Sequence, residues 1–567
     1  MKMPQSGQGM AVWSWSRDLP NSARHVRVFT ARLSNTGLAD LARTPLVASM
    51  LCQLHAADPS RYLPEGRAGA YQSFVELLYE QNTHKSIRNT HDEVIRVLKD
   101  RHQIPRDQRA AEQTAQLVRD DLPGLIDHLA HERINGNTAP VVEILARHLD
   151  VQRPAKVKAP LWNAFLGDLL RPTGLLYERS GDFHFLHQTL LEYHAARHAT
   201  RDEQARAELL QSLFRRDHAF ADGHASAPDV ESSYLGFLLD GLLAPADHIA
   251  AETLQALDDL TSRNAIAACR LLATLVKLRT NLPADRTAHQ LAKLALRQDL
   301  AGWRLVAAKY LVGVDGHWEE GAGLLARLVD DTTLSFKNRV KAAWTLAQLR
   351  GHRPEAAGLL LRLAGDKSLG YPRRLDAGWA LSQMKECREG VVRLFAPYAY
   401  NTWNHHHDRR DAAGLLAAFG EERAIETLFR EATEGTFGTS DIRNRARAAL
   451  YLTALGDERL AGPLAAMTEY DPEGDILGHA LAAKALSQLP RHREEAAEVL
   501  ARIASDPAVW AGPYRVEAAE YLAELDGYRG KAVELLTLLA ENNISRNRAD
   551  QALAKLGAPR HSTVGKR

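Results

Sequence analysis

The sequence predicts an all-α protein whose C-terminal half is a stack of two-helix repeats, and three observations predict it. An arginine, once a histidine, recurs at near-constant intervals: Arg304, Arg339, Arg374, Arg409, Arg445, His479, Arg515 and Arg546, spaced 35, 35, 35, 36, 34, 36 and 31 residues apart. Three residues past each stands an alanine (Ala307, Ala342, Ala377, Ala412, Ala448, Ala482, Ala518, Ala549), and four further a leucine (Leu311, Leu346, Leu381, Leu416, Leu452, Leu486, Leu522, Leu553). Elsewhere apolar residues fall at i, i+3 and i+4, the helical period, rather than alternately. A period of ~35 with two helical stretches per unit means stacked helix pairs, because one pair cannot bury its apolar face alone. Alanine at the closest approach lets neighbouring backbones meet, and the leucine one turn on fills the space between layers.

Bulk properties narrow the class. A chain of 567 residues is too long for one compact core and implies several domains, or a domain followed by a repeat array. Lys+Arg number 71 against 70 Asp+Glu, which argues against a whole-protein electrostatic grip on nucleic acid or anionic membrane. Cys52, Cys269 and Cys387 are odd in number and far apart, so neither a disulfide framework nor a zinc spacing is present and a reducing compartment is expected. No apolar run reaches the ~20 residues needed to span a bilayer. The N-terminal MKMPQSGQGMAVWSW lacks an apolar secretion core. A cytoplasmic protein without membrane contact is the expectation.

Along the chain, residues 1–33 carry Gly, Ser and Pro with Trp13 and Trp15 and are expected to be poorly ordered. Residues 34–81 are helical. Ser34 or Asn35 suits the N-cap of a helix beginning near Leu38, and Pro45 starts a new helix, since proline is tolerated in a first turn. Residues 82–200 form a further region, polar and helical with several breaks to about 160, and including the string GLLYERSGDFHFLHQTLLEYHAAR at 174–197. A helical spacer at 201–299 leads into the repeats at 300–556, and 557–567 form a disordered tail.

Candidate chemistry is sparse. The arginine ladder could present a basic groove to phosphates, but its only adjacent basic pairs are Arg373-Arg374 and Arg409-Arg410, and Asp330, Asp331, Asp366 and Asp441 stand where they could pair with arginines along the stack. His405, His406, His407 and Asp408 form the densest metal-like run. Consecutive histidines point in different directions, so a solvated inter-helix loop is expected rather than a zinc site. No nucleophile elbow, H-E-x-x-H or C-x-x-C motif occurs, so no catalytic and no metal-binding residue is assigned.

The 174–197 string resembles the end of the winged-helix module of NACHT-type signalling NTPases, the STAND group. The matching residues are Gly174, Leu175 and Leu176, then Phe185 and His187, then Gln188, Glu192, Tyr193, Ala195 and Ala196. Thr44-Pro45-Leu46 and Leu63-Pro64 match two further points of that family, and the repeats resemble HEAT repeats in their short bacterial form. The resemblance implies that His187 reaches the β-phosphate of bound ADP and that Pro45 packs against the adenine. Read without it, His187 caps a helix and Pro45 starts one. The chain contains no G-x-x-x-x-G-K-[ST] phosphate loop, and Gly565-Lys566 has no helix to open. No cofactor is therefore expected, and ATP or ADP enters by the resemblance alone. The function expected is a non-catalytic sensor or scaffold, of the kind often linked in bacteria to phage defence, which binds a protein partner through its repeats and can oligomerise. The alternatives are a nucleic-acid-binding repeat protein, or a fragment of an intact ATP-dependent NTPase.

Overall fold

The computed structural model describes residues 28–33, 38, 41–64, 66–80, 87–102, 107–148, 151–214, 233–401, 403–434, 442–469, 474–507, 512–541 and 545–557. Ser34, Asn35, Trp13, Trp15, Asp441 and Gly565-Lys566 lie outside them. Among the described residues the regular structure is helical apart from one two-stranded sheet, so the fold is all-α. No described helix is long and apolar enough to cross a membrane. The chain divides into two compact units, 1–325 and 326–567, and the division falls inside the helix Trp318–Asp330.

Among the described residues the first unit begins with a short helical segment at 28–33 and a tight turn at Leu41–Arg43, followed by the helices Pro45–Ala57 and Gly66–Glu80. Pro45 occupies the first turn of its helix, where a missing N–H costs nothing. Leu63-Pro64 lies in the connection before the second helix. Ile87–Arg101, Gln108–Asp120, Leu122–Ile134, Val141–Ala146 and Ala159–Leu170 follow, broken where the sequence is polar. The strands β1 (Leu176–Arg179) and β2 (Asp182–Phe185) then form an antiparallel hairpin in which Leu176 pairs with Phe185. Ser180 (φ 55) and Gly181 (φ 82) turn it, both in the left-handed region that a two-residue hairpin requires. From β2 the chain enters the helix Gln188–Ala199, which packs against Leu122–Ile134 and Ser233–Leu243. Trp162, Tyr71 and Tyr193 lie in the core these elements share.

In the second unit, successive helices from Phe336–Ala347 to Arg546–Lys555 pack each on the next and, in alternation, on the next but one. This is the stacking that the ~35-residue period demands. Across both units all eight repeat alanines are 0% exposed, seven of the eight leucines are 0% exposed, and Leu553 is 6%. Burying each leucine contributes ~1.5–3 kcal/mol.

The anchor arginines do something that charge pairing does not describe. Arg304 Nε donates to the Ala295 carbonyl (3.0 Å), Arg339 to Val329 (2.6 Å), Arg445 to Ala432 (3.1 Å), Arg515 to Ala504 (3.1 Å) and Arg546 to Ala540 (3.2 Å). His479, the substituted anchor, meets the Met467 carbonyl through Nδ1 at 2.8 Å. Each acceptor lies in the last turn of the preceding helix, where carbonyls lack an intrahelical partner and the helix dipole favours a cation. The expected pairing with nearby aspartates survives as a charge effect: after the bonds from Ser368, which act most strongly, Arg339 and Arg374 help to hold the Asp366 carboxyl below its ordinary value. Asp330 instead pairs with Arg362 (2.8 Å), and Asp331 and Asp366 bond Thr333 and Ser368 in their own turns.

Candidate functional site

The two residues that the sequence singles out sit on different elements. Pro45 is exposed at the start of its helix. His187 is the exposed N-cap of Gln188–Ala199, and its Nδ1 accepts the Thr189 N–H at 3.1 Å. The same nitrogen lies 2.9 Å from Thr189 Oγ1, which lies 2.6 Å from Tyr71 Oη. Since Nδ1 is the acceptor, the neutral ring carries its proton on Nε2. A chain of two hydroxyls thus ties an exposed imidazole to the buried Tyr71, whose ring packs on Tyr193 (5.5 Å) and edge-on against Phe237 (5.1 Å).

Tyr193 and Phe237 line a cleft of ≈ 350 Å³ between the helices Gly66–Glu80, Gln188–Ala199 and Ser233–Leu243. Small residues allow the approach of these helices. A Cβ at Gly236 would lie 2.7 Å from Arg67 Nη2, and one at Gly241 would collide with Thr200. Arg67 passes beside Gly236, donates to the Ser233 carbonyl at 2.6 Å and lies 3.9 Å from the Phe237 ring centroid. Two buried carboxyls flank it. Burial pushes Asp240 up to about 6, although the Asn281 N–H and Arg67 pull the other way. Burial also raises Glu192, against the Gln188 amide and Arg67.

On the side of Gln188–Ala199 that meets Leu122–Ile134, Asp127 receives His194 Nδ1 at 2.6 Å and lies 3.4 Å from Arg197 Nε. Beyond it four imidazoles gather. His128 stands 4.5 Å from His148 and 5.3 Å from His198, and His131 stacks on His198 at 4.6 Å. Burial lowers His128, His131 and His198, the last to about 4, with neighbouring imidazoles and Arg201 adding to the depression of His198. Among the described residues no group of three such side chains could hold a metal ion. Sequence spacing does not signal this cluster, because His148 and His198 reach it from separate segments.

In the repeats, three of the four arginines offered as a basic groove are drawn into the fold, while Arg373 is exposed. Arg374 donates to Tyr398 Oη (2.7 Å), with its guanidinium 5.1 Å from that ring's centroid, and Arg410 is buried against Asp411 and Asn444. Arg409 is half-buried and feels the charge of Glu431, a carboxyl that is 1% exposed and raised to about 8 by burial. The residue preceding the acceptor carbonyl is Leu294, Leu328, Ile503 or Leu539 in four repeats and Glu431 in this one, all of them buried. Aligning the repeats would have exposed this substitution. The histidine run is also not a loop: His406 and His407 form the first turn of the helix His406–Ala418, with their rings 3.8 Å apart. Just before it, Trp403 stands 94% exposed.

Compared with known proteins, the sequence matches no family model and no curated protein.

Proposed function

We propose that this chain is a non-catalytic sensor or scaffold that binds a protein partner on its helical repeats. The observation that carries this reading is the direction of the anchor arginines. Five of the seven, with His479, close the helices behind them, and the exposed surface carries residues such as Trp403, an aromatic of the kind that anchors protein interfaces. The same observation counts against a phosphate-binding groove, because Arg374 and Arg410 already have partners within the fold. The reading as a signalling protein of bacterial defence is supported by the resemblance of the 174–197 string to NACHT-type proteins and by the HEAT-like period.

A second reading is that the chain works with a nucleotide-binding part of the same family. Its support is His187, whose ring directs Nε2–H outward while Nδ1 is held by Thr189. Two measurements separate the readings. Photo-crosslinking from position 403 should trap a discrete protein, whose binding to the purified chain weakens in Trp403→Ala without loss of helicity. Steeply salt-dependent binding of duplex DNA, lost in Arg374→Ala, would instead show a nucleic-acid protein. Retention of ADP, lost in His187→Ala, would favour the second reading.

A further inference from the structure

Four imidazoles from three segments meet on the seam where Gln188–Ala199 packs against Leu122–Ile134, with neighbouring ring centroids 4.5 to 5.3 Å apart. His128 and His131 stand one turn apart on the second of these helices, His198 faces them from the last turn of the first, and His148 follows Val141–Ala146. All four are half-buried. The contacts suit neutral rings. The Asn135 amide donates to His131 Nε2 at 3.0 Å, which leaves the ring proton on Nδ1, a buried atom without a hydrogen-bond partner among the described residues. His198 Nδ1 is buried and unpartnered in the same way.

The charges around the cluster do not favour a second form. The carboxylate that acts on His128 and His131 is Glu132, whose Oε2 already accepts the Asn137 amide at 2.8 Å. Arg201, just beyond the end of Gln188–Ala199, sets a positive charge against His128, His131 and His198. Of the other neighbouring charges, Asp127 is taken by His194 and Arg197, Arg133 pairs with Asp182, and Arg147 pairs with Glu143. Two imidazolium rings here would face each other at contact distance, beside a guanidinium and with one carboxylate to share.

We propose that this cluster is an acid-sensitive latch: neutral, the four rings pack and close the seam, and protonated, they repel one another and release Gln188–Ala199 from Leu122–Ile134 before the rest of the unit unfolds. Asp127, bonded to His194 and Arg197 across the same seam, is the attractive lock that the imidazoles work against, so pH sets the balance of two states. An imidazole released into water takes up its proton near 6.5, whereas His198 in the closed seam does so near 4, and His128 and His131 are lowered as well. The open form therefore binds more protons, and opening gains as pH falls through that window. The latch concerns the first unit alone and stands independently of the repeat-array reading.

Hydrogen exchange of the full chain tests it, read peptide by peptide from about pH 7.5 to about pH 4.5 and corrected for the intrinsic exchange rate. Protection across 122–134 and 188–199 should fall at least ~10-fold as pH drops, while the helix Ala265–Lys277 of the same unit keeps its protection. In the chain carrying both His128→Gln and His198→Gln, the seam should stay closed over the whole range. His131→Gln alone should move the midpoint of the fall to lower pH, which keeps the test available if the double variant folds poorly. Simultaneous loss of protection in Ala265–Lys277, a seam that stays protected throughout, or a fall at unchanged pH in either folded variant overturns the proposal.

Discussion

Arg339 Nε donates to the Val329 carbonyl at 2.6 Å, so the first turn of one helix closes the last turn of the helix before it. A buried charged hydrogen bond of this kind contributes ~1.5–3 kcal/mol. Arg339→Ala should therefore lower stability by ~1–3 kcal/mol in urea unfolding, and Arg339→Lys should recover little, because an ammonium cannot reproduce the Nε geometry. Arg362→Ala, which breaks an exposed pair with Asp330, should change stability by less than ~1 kcal/mol. Equal losses in the two alanine variants would refute the capping role.

The seam between repeats should be intolerant of added volume. Ala448 and Leu452 are both 0% exposed. Ala448→Leu should cost ~1–3 kcal/mol by forcing the layers apart, and Leu452→Ala ~2–5 kcal/mol by leaving a cavity. Chemical denaturation measures both.

Acid should weaken the first unit. An unfolded imidazole takes up its proton near 6.5, whereas His198 in the folded chain does so only near 4. The unfolded state binds more protons between these values, so stability falls as pH drops through that window. His198→Asn should flatten the profile by ~1 kcal/mol once solvent screening of this half-exposed group is allowed for. Melting curves between these two values would show it, and an unchanged slope in the variant would count against the cluster.

Alkali should weaken the second unit, by the opposite linkage. Glu431 titrates near 8 when folded against an ordinary 4.5, so the folded state holds the extra proton between those values. The stability it supports is full below about 4.5 and lost as pH rises through 8. Glu431→Gln, which cannot ionise, should gain on the native chain progressively across that range. A difference independent of pH would show that Glu431 is ionised throughout.

The cap at His187 should be replaceable in structural terms. His187→Ala should destabilise the first unit by ~1 kcal/mol, and His187→Asn should restore it, since asparagine is a strong N-cap. Thermal unfolding reads the difference. Any loss of ligand binding that persists in His187→Asn would belong to the imidazole itself rather than to the cap.

How much of this was legible in the sequence depended on whether the signal lay in side chains that recur. Eight alanines and eight leucines in phase located the buried seam, and Pro45 marked its own helix start. The target of the arginines could not be read in the same way, because every residue supplies a carbonyl and the acceptor leaves no trace in composition. The cleft was hidden for another reason: Arg67 meets the Ser233 carbonyl across 166 residues, and no local spacing announces such a meeting. Glu431 lies between these cases. It breaks the apolar pattern of its register and was discoverable by comparing repeat with repeat.

A lock whose receiving half is main chain places no demand on the side chains around it. The helix that offers Val329 or Ala504 can exchange its solvent-facing residues freely while the next arginine still finds its oxygen. Such modules can be duplicated, deleted or recombined in whole pairs, and their outer faces can diversify while the joints are unaffected.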